Sequence, residues 1–409
     1  MNISPNFSPS IQLMKPYFLL SSFFYVVSMV WLYFINPFAL TSDFTIVGWV
    51  HLYMVGFVMM AIISAMAQLG PVIAETKHYA VWSLKFIWIF LAVGIVGLVI
   101  GFYKVPMALL IGGGTLFVGI LLYVLEFMVT IQSLKRKKII IHTMKMSNLF
   151  LLFGLISGLV MASFFNGYVL INLPNILQAH LFGLIVGVVI LLIMGLSNVL
   201  IPMFGSTKYP KDKQFILSFI PLNIAVVIML LYPAFPTKIT QEVAYGLSLV
   251  SFGVYFYYLI KMFFTRAQVT HDIWARHMYV GFLSFFIAIA LFIIYFFQNN
   301  TIILNLAFWI LFIGFFGFVI IGNFYKIIPF LVWFHIYSPL IEEQEVPMLH
   351  QLLPKKLSNI QFIFSLLGFF VTTVGLYISN SLVFYSGVTF LGVGGILFFS
   401  TIYKVLQTK

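Results

Sequence analysis

The chain has 409 residues, of which 63% are hydrophobic and only 7% are charged. A soluble domain needs about 25% charged residues, so this composition excludes a water-soluble globular protein and predicts a surface that faces lipid. The absence of cysteine excludes disulfide bonds, thiolate metal sites and a cysteine nucleophile. The net charge of +12 fits the basic cytoplasmic loops of a membrane protein, and no nucleic-acid partner is expected.

Long apolar runs follow one another along almost the whole sequence. Each is long enough for a helix to cross the hydrocarbon core, and none shows the short alternating pattern of a membrane β-barrel. We therefore predict an all-α polytopic membrane protein, with residues 1–409 forming a single transmembrane domain in contact with the lipid bilayer. The twelve predicted spans are 16–37, 44–72, 80–102, 105–133, 145–168, 175–203, 214–234, 240–264, 276–298, 302–335, 358–379 and 382–404.

The basic residues predict the orientation of these spans. With the N-terminus on the cytoplasmic side, 19 of the 21 Lys and Arg residues fall on that side, and only Lys104 and Lys238 fall outside. The run Lys135-Arg136-Lys137-Lys138 is the strongest inner signal. Because basic loops stay in the cytoplasm, we predict a bacterial cytoplasmic (inner) membrane protein with both termini inside.

A glycine and a proline recur with the same spacing in predicted spans two, six and ten. The pairs, each 15 residues apart, are Gly56 and Pro71, Gly187 and Pro202, and Gly314 and Pro329. Small residues let helices approach closely in lipid, and proline kinks or ends a helix. The pattern predicts three four-helix blocks around a pseudo-threefold axis, with repeats of approximately 16–133, 145–264 and 276–404.

Two histidines lie within predicted spans, near their outer ends. His51 precedes Pro71 by 20 residues and His180 precedes Pro202 by 22, so the two occupy nearly matching places in two repeats. A polar ring inside a membrane needs a partner, and neutral imidazole is the commonest metal ligand. Two interpretations stay open: each ring ligates a metal or haem, or each forms a hydrogen bond to a neighbouring helix.

The stretches His51-Leu52-Tyr53-Met54-Val55-Gly56-Phe57 and Ala179-His180-Leu181-Phe182-Gly183 lie in spans two and six of a twelve-span, three-block layout. This combination resembles subunit I of the haem–copper oxidase superfamily, especially its divergent NnrS-like branch. The resemblance implies that His51 ligates a haem and His180 ligates copper. The further histidine ligands that the family carries on spans seven and ten have no counterpart here. The implied site is therefore reduced: one histidine-ligated haem, or a copper held by His51 and His180 with a Met or Tyr.

These expectations define a haem–copper-oxidase-like integral membrane protein that binds haem, copper or both. Its physiology would be respiratory, nitric-oxide-related or metal-handling, with respiratory-chain components as candidate partners. The alternatives are a small-solute transporter or permease, and a non-catalytic assembly partner of a respiratory complex. The sequence has no P-loop and no His-Glu-x-x-His motif that would indicate an enzyme. Whether the chain is an enzyme stays open. Glu126, inside span four, is the candidate for a proton path.

Overall fold

Twelve helices in the described part of the chain are long enough and apolar enough to cross a membrane, as expected of a polytopic membrane protein. The computed structural model describes residues 7–39, 43–133, 139–207, 212–265 and 272–408. The basic run Lys135-Arg136-Lys137-Lys138 lies outside these ranges. The helices are α1 (Ile11–Phe34), α2 (Phe44–Ala74), α3 (Val81–Tyr103), α4 (Pro106–Thr130), α5 (Ile139–Phe165), α6 (Leu173–Gly205), α7 (Lys213–Leu231), α8 (Lys238–Phe264), α9 (Ile273–Gln298), α10 (Thr301–Leu340), α11 (Lys355–Tyr377) and α12 (Ser381–Gln407).

Each of the twelve predicted spans corresponds to a long apolar helix, within six residues of its expected ends. The largest differences are at the starts of α1 and α5, which begin five and six residues earlier than predicted, and at the end of α10, which lies five residues later. At α1 the reason is a cap: the Ser10 side chain accepts a hydrogen bond from the Leu13 backbone N–H, so the helix starts before Pro16. The arrangement of three blocks about an axis stays a prediction.

The chain divides into two compact units. Unit A contains α2 from Ala65 onward and α3 to α8, apart from residues 102–104 at the end of α3. Within it α4 packs on α5, α5 on α6, and α7 on α8. Unit B contains α1, α2 up to Ser64, residues 102–104, and α9 to α12. Within it α1 packs on α2 and α12, α9 on α10, and α11 on α12.

The three helices that carry the repeated glycine and proline share an unusual backbone. Each contains an eight-residue π-helical segment, namely Leu52–Met59 in α2, Gly183–Ile190 in α6 and Ile310–Gly317 in α10. Each segment begins nineteen residues before the repeated proline, and that proline is the twelfth residue of the α-helical stretch that follows. Long π-helical segments are rare and often lie at functional sites, so the repeat extends from sequence to backbone geometry.

The same three helices also begin in the same way. The side chains of Asp43, Asn172 and Asn300 accept hydrogen bonds from the first turns of α2, α6 and α10. A side-chain oxygen at this position satisfies backbone N–H groups that have no partner inside the helix. The capping residue, the π segment and the proline therefore follow one another in the same order in all three helices.

Each of the three helices packs closely against the helix that precedes it in the chain. A Cβ atom added at Gly56 would lie 2.8 Å from the Phe24 ring, and one added at Gly187 would lie 2.9 Å from the Phe150 ring. At Gly314 the added atom would lie 2.6 Å from the Ser284 hydroxyl. The glycines thus occur where a side chain would separate the two helices.

Candidate functional site

His180 lies in α6, three residues before the π-helical segment, and is buried. Its Nδ1 is 3.0 Å from the Gly154 backbone oxygen of α5 and 3.0 Å from the Ser157 hydroxyl. A carbonyl oxygen can only accept a hydrogen bond, so the hydrogen of the neutral ring is on Nδ1. Nε2 consequently carries the lone pair of the imidazole.

His51 has the same tautomer by a different route. It is the last residue before the π-helical segment of α2 and is half-buried. Its Nδ1 is 2.8 Å from the Val47 backbone oxygen, one turn earlier in the same helix, so Nδ1 donates and Nε2 carries the lone pair. The ring packs against Phe102, with ring centroids 4.8 Å apart.

The two histidines do not occupy equivalent positions in their helices. Counted from the repeated prolines, and so from the π segments, they differ by two residues, which is about 200° around an α-helix. The counterpart of His180 in α2 is Trp49, and the counterpart in α10 is Ala307. The sequence predicted nearly matching places for the two histidines, but His51 and His180 lie on different faces of their helices. His51 belongs to unit B and His180 to unit A.

Both rings meet a condition that metal-ligating histidines usually satisfy. Such a histidine donates one ring N–H to a carbonyl or carboxylate and offers the other nitrogen to the metal. His51 and His180 each donate from Nδ1 to a backbone carbonyl. One axial haem ligand needs only a single imidazole, so either residue fits that role.

A copper centre built from several protein ligands fits less well. Among the residues that the structure describes, no three His, Asp or Glu side chains are grouped so that they could hold a metal ion. Copper centres normally combine two or three nitrogen and sulfur ligands in one place. The reduced copper site implied by the resemblance, two histidines with a Met or Tyr, contains only two such side chains and stays a prediction.

Glu126, the residue expected to mark a proton path, forms a buried ion pair in unit A. Its Oε1 accepts from Nδ1 of His78 at 2.8 Å and from the Thr130 hydroxyl at 2.7 Å, and the carboxyl also accepts from the backbone N–H of Ala80. The side chains of His78 and Glu126 are 5% and 3% exposed. Three donors therefore surround one buried carboxyl.

The second nitrogen of His78 has a structural task. Nε2 lies 2.8 Å from the Ala67 backbone oxygen, to which it must donate. Ala67 is four residues before Pro71, which has no N–H to give to that carbonyl. His78 therefore replaces the hydrogen bond that Pro71 removes, while its Nδ1 is paired with the Glu126 carboxyl.

Sequence reasoning missed the partner of Glu126. The two residues are 48 positions apart, and His78 lies in the short connection between α2 and α3. The sequence did contain one signal: Pro71 has no N–H, which predicts that the Ala67 carbonyl lacks its helical hydrogen bond. Pro71 alone does not indicate which side chain supplies the replacement donor. No protein-family model matches this chain, and no curated protein matches it significantly.

Proposed function

We propose that this chain is a haem-binding integral membrane protein of the bacterial inner membrane, with both termini in the cytoplasm and a respiratory or nitric-oxide-related role. The observation that carries the proposal is the ring geometry of His180. Its Nδ1–H points to the Gly154 carbonyl, which leaves the lone pair on Nε2. His51, with the same tautomer, is the second candidate ligand.

The residues around His180 suit an axial ligand in two respects. The Gly154 carbonyl and the Ser157 hydroxyl fix the orientation of the ring, and a carbonyl partner raises the basicity of a ligating imidazole. Gly158 has no side chain to fill the space beside the ring, where an added Cβ would lie 3.4 Å from Cε1. A bound haem would supply reversible redox chemistry and the binding of a small gas.

The proposal is tested by the optical spectrum of protein purified from haem-replete cells. We expect a Soret band that is lost in His180→Gln, because glutamine keeps an N–H donor for Gly154 but has no imidazole. The same measurement on His51→Gln shows whether that ring ligates instead. His142→Gln is the matched control, since His142 is exposed. A wild-type protein without haem absorption, or one unaffected by either substitution, contradicts the proposal.

The orientation has an independent test, because the chain contains no cysteine and a single introduced thiol can be labelled in intact cells. Leu170, between α5 and α6, is 98% exposed, and Glu343, between α10 and α11, is also exposed. A membrane-impermeant maleimide should label Leu170→Cys from outside and leave Glu343→Cys unlabelled until the cells are opened. The reverse pattern contradicts the predicted orientation.

A further inference from the structure

Unit B carries a group of basic side chains at one end that the proposed function does not use. They come from four helices: Lys15 from α1, Arg276 from α9, Lys355 and Lys356 from α11, and Lys404 from α12. Lys15 is half-buried and the other four are exposed. Each lies within five residues of an end of its helix, on the cytoplasmic side by the predicted orientation. We call these five residues the basic patch.

Hydrogen bonds hold two parts of the basic patch in place. In the first part, Nη1 of Arg276 donates to Oδ1 of Asn359 at 3.1 Å, and Nδ2 of Asn359 donates to the Lys355 backbone oxygen at 2.8 Å. In the second part, Nζ of Lys15 donates to Oε1 of Gln407 at 3.4 Å, at the end of α12. Asn359 thus joins α9 to the first turn of α11, and Gln407 joins α12 to α1.

The packing of α11 on α12 brings the two parts together. These helices are antiparallel neighbours joined by a short turn, residues 378–380. A Cβ atom added at Gly394 would lie 3.2 Å from the Ser365 backbone nitrogen. From this contact α11 runs ten residues back to Lys355 and α12 runs ten residues on to Lys404, about 15 Å in each case. The two lysines therefore lie at the same level of the helix pair.

No acidic side chain pairs with the lysines of the basic patch within the part of the chain that the structure describes. Asp272, at the start of α9, pairs instead with Lys326 at 2.7 Å. Glu342, Glu343 and Glu345 lie in the exposed connection between α10 and α11, and none of these three forms an ion pair with a described lysine. Because like charges repel, a group of unpaired lysines predicts an anionic partner.

The first turn of α11 adds to this attraction for an anion. Lys355 and Lys356 are its first two residues, and Pro354 before them provides no side-chain cap. The N-terminal end of a helix carries a partial positive charge, so lysines are repelled there and an anion is stabilised. The guanidinium of Arg276, tied to this turn through Asn359, suits the oxygen atoms of a phosphate group.

An apolar stripe on α11 continues from the basic patch. Ile363, Leu367, Phe370 and Val374 are all exposed, and they follow one another at intervals of three or four residues, beginning two turns after Lys356. This face of α11 runs from the cytoplasmic end toward the middle of the membrane. A ligand with a negatively charged head and apolar chains would contact the basic patch and the stripe together.

We propose that the basic patch binds the phosphate headgroup of one anionic phospholipid, with the acyl chains along the stripe on α11. The position favours a lipid over a soluble phosphate compound, because the patch lies at the ends of membrane-spanning helices, at the level of the headgroups. Basic pockets between such helices on the cytoplasmic side bind anionic headgroups.

The preference of basic residues for the cytoplasmic side does not account for the patch by itself. That preference explains on which side of the membrane the lysines lie. It does not explain why Asn359 joins the arginine of one helix to the turn of another helix that begins with two lysines. A phosphate group bound between them gives these cations a common partner.

The test is native mass spectrometry of the whole purified protein in detergent, titrated with phosphatidylglycerol or with phosphatidylcholine of the same acyl chains. The wild-type protein should bind the anionic phosphatidylglycerol more tightly. Each basic side chain strengthens such binding about fivefold, so Lys355→Gln with Lys356→Gln should weaken phosphatidylglycerol binding by about 25-fold. Phosphatidylcholine binding should hardly change. Inorganic phosphate should displace no more lipid than chloride does at equal ionic strength.

Lys77→Gln with Lys85→Gln is the matched control, because these exposed lysines of unit A are on the same predicted side and their loss changes the charge equally. The control should keep the preference for phosphatidylglycerol. Equal binding of the two lipids by the wild type, an unchanged preference in the folded patch variant, or an equal loss in the control overturns the proposal. Displacement of the lipid by inorganic phosphate overturns it as well. None of these results bears on haem binding, which the optical spectrum tests separately.

Discussion

Two pairs of helices make matching hydrogen bonds: α1 with α2 in unit B, and α5 with α6 in unit A. They differ in one side chain, the donor of the second bond. Ser21 donates to the Phe57 carbonyl in the first pair, as Ser147 does to the Val188 carbonyl in the second. Two turns further along α1, the Ser28 carbonyl accepts a hydrogen bond from the Trp49 indole, whereas two turns further along α5 the Gly154 carbonyl accepts one from the His180 imidazole.

The difference shows what His180 adds to a position that does not require histidine. Ser147 and Gly154 of α5 each lie 126 residues after their counterparts in α1, Ser21 and Ser28. The two carbonyl acceptors are therefore equivalent. An indole N–H satisfies one and an imidazole N–H the other. Only the imidazole has a second ring nitrogen with a lone pair, and this is the atom on which the haem proposal depends.

The largest expected effect is at the proline end of α2, where the structure shows the ion pair of His78 and Glu126. Glu126→Ala leaves the buried Nδ1 of His78 without its ion-pair partner and should lower the free energy of unfolding by about 3–5 kcal/mol. Thermal unfolding of the purified protein in detergent measures the loss. Glu242→Ala is the control: Glu242 pairs with the exposed Lys238, and its removal should cost less than about 1 kcal/mol.

A double substitution separates the pair from its surroundings. If His78 and Glu126 act together, His78→Ala and Glu126→Ala combined should cost clearly less than the two single losses added. Additive losses would show that the two side chains stabilise the fold independently, and would contradict the ion pair.

A smaller effect is expected where the paired helices approach most closely. Gly56→Ala and Gly187→Ala each place a Cβ about 2.8 Å from a neighbouring side chain and should destabilise by about 1–3 kcal/mol, by similar amounts in the two units. Gly114→Ala in α4 meets no atom within 4 Å and should be neutral or stabilising. Clearly different losses at Gly56→Ala and Gly187→Ala would refute the equivalence of the two pairs, and an equal loss at Gly114→Ala would show that close helix contact is not the cause.

The smallest expected loss of stability comes from changing the two ring N–H donors, the Trp49 indole and the His180 imidazole. Trp49→Phe removes the donor to the Ser28 carbonyl and should cost about 0.5–1.5 kcal/mol. His180→Gln keeps a donor for Gly154 and should cost less, as measured by the same unfolding assay. A loss at His180→Gln larger than that at Trp49→Phe would mean that the imidazole is needed for folding, and would remove the basis of the comparison.

The number of helices and their limits could be predicted because each depends on a local property, the length of an apolar run. The repeated glycines and prolines also carry a local signal, and they led to the three helices with matching backbones. The π-helical segments could not be predicted, because Leu52–Met59 and Ile310–Gly317 have no residue pattern that distinguishes them from ordinary apolar helix.

The contacts of the histidines lay beyond sequence reasoning for a different reason. His78 reaches Glu126 and His180 reaches Gly154 across 48 and 26 residues, so their partners depend on which helices are neighbours. The sequence indicated which polar residues are inside spans, and it singled out His51, His180 and Glu126. It gave no reason to group Arg276 with Lys355 and Lys404, which come from three different helices.

The π-helical segments have a consequence for how this chain tolerates insertions and deletions. A π segment accommodates an extra residue within a helix without ending it. Removing one residue from Gly183–Ile190 should let this part of α6 return to regular α-helical winding, and should turn the preceding residues relative to Pro202 by much less than the roughly 100° that a deletion in a regular α-helix causes. The π segments of α2, α6 and α10 are therefore the places at which we expect these helices to tolerate a one-residue deletion best, because the direction of the residues before the segment, His180 among them, changes least.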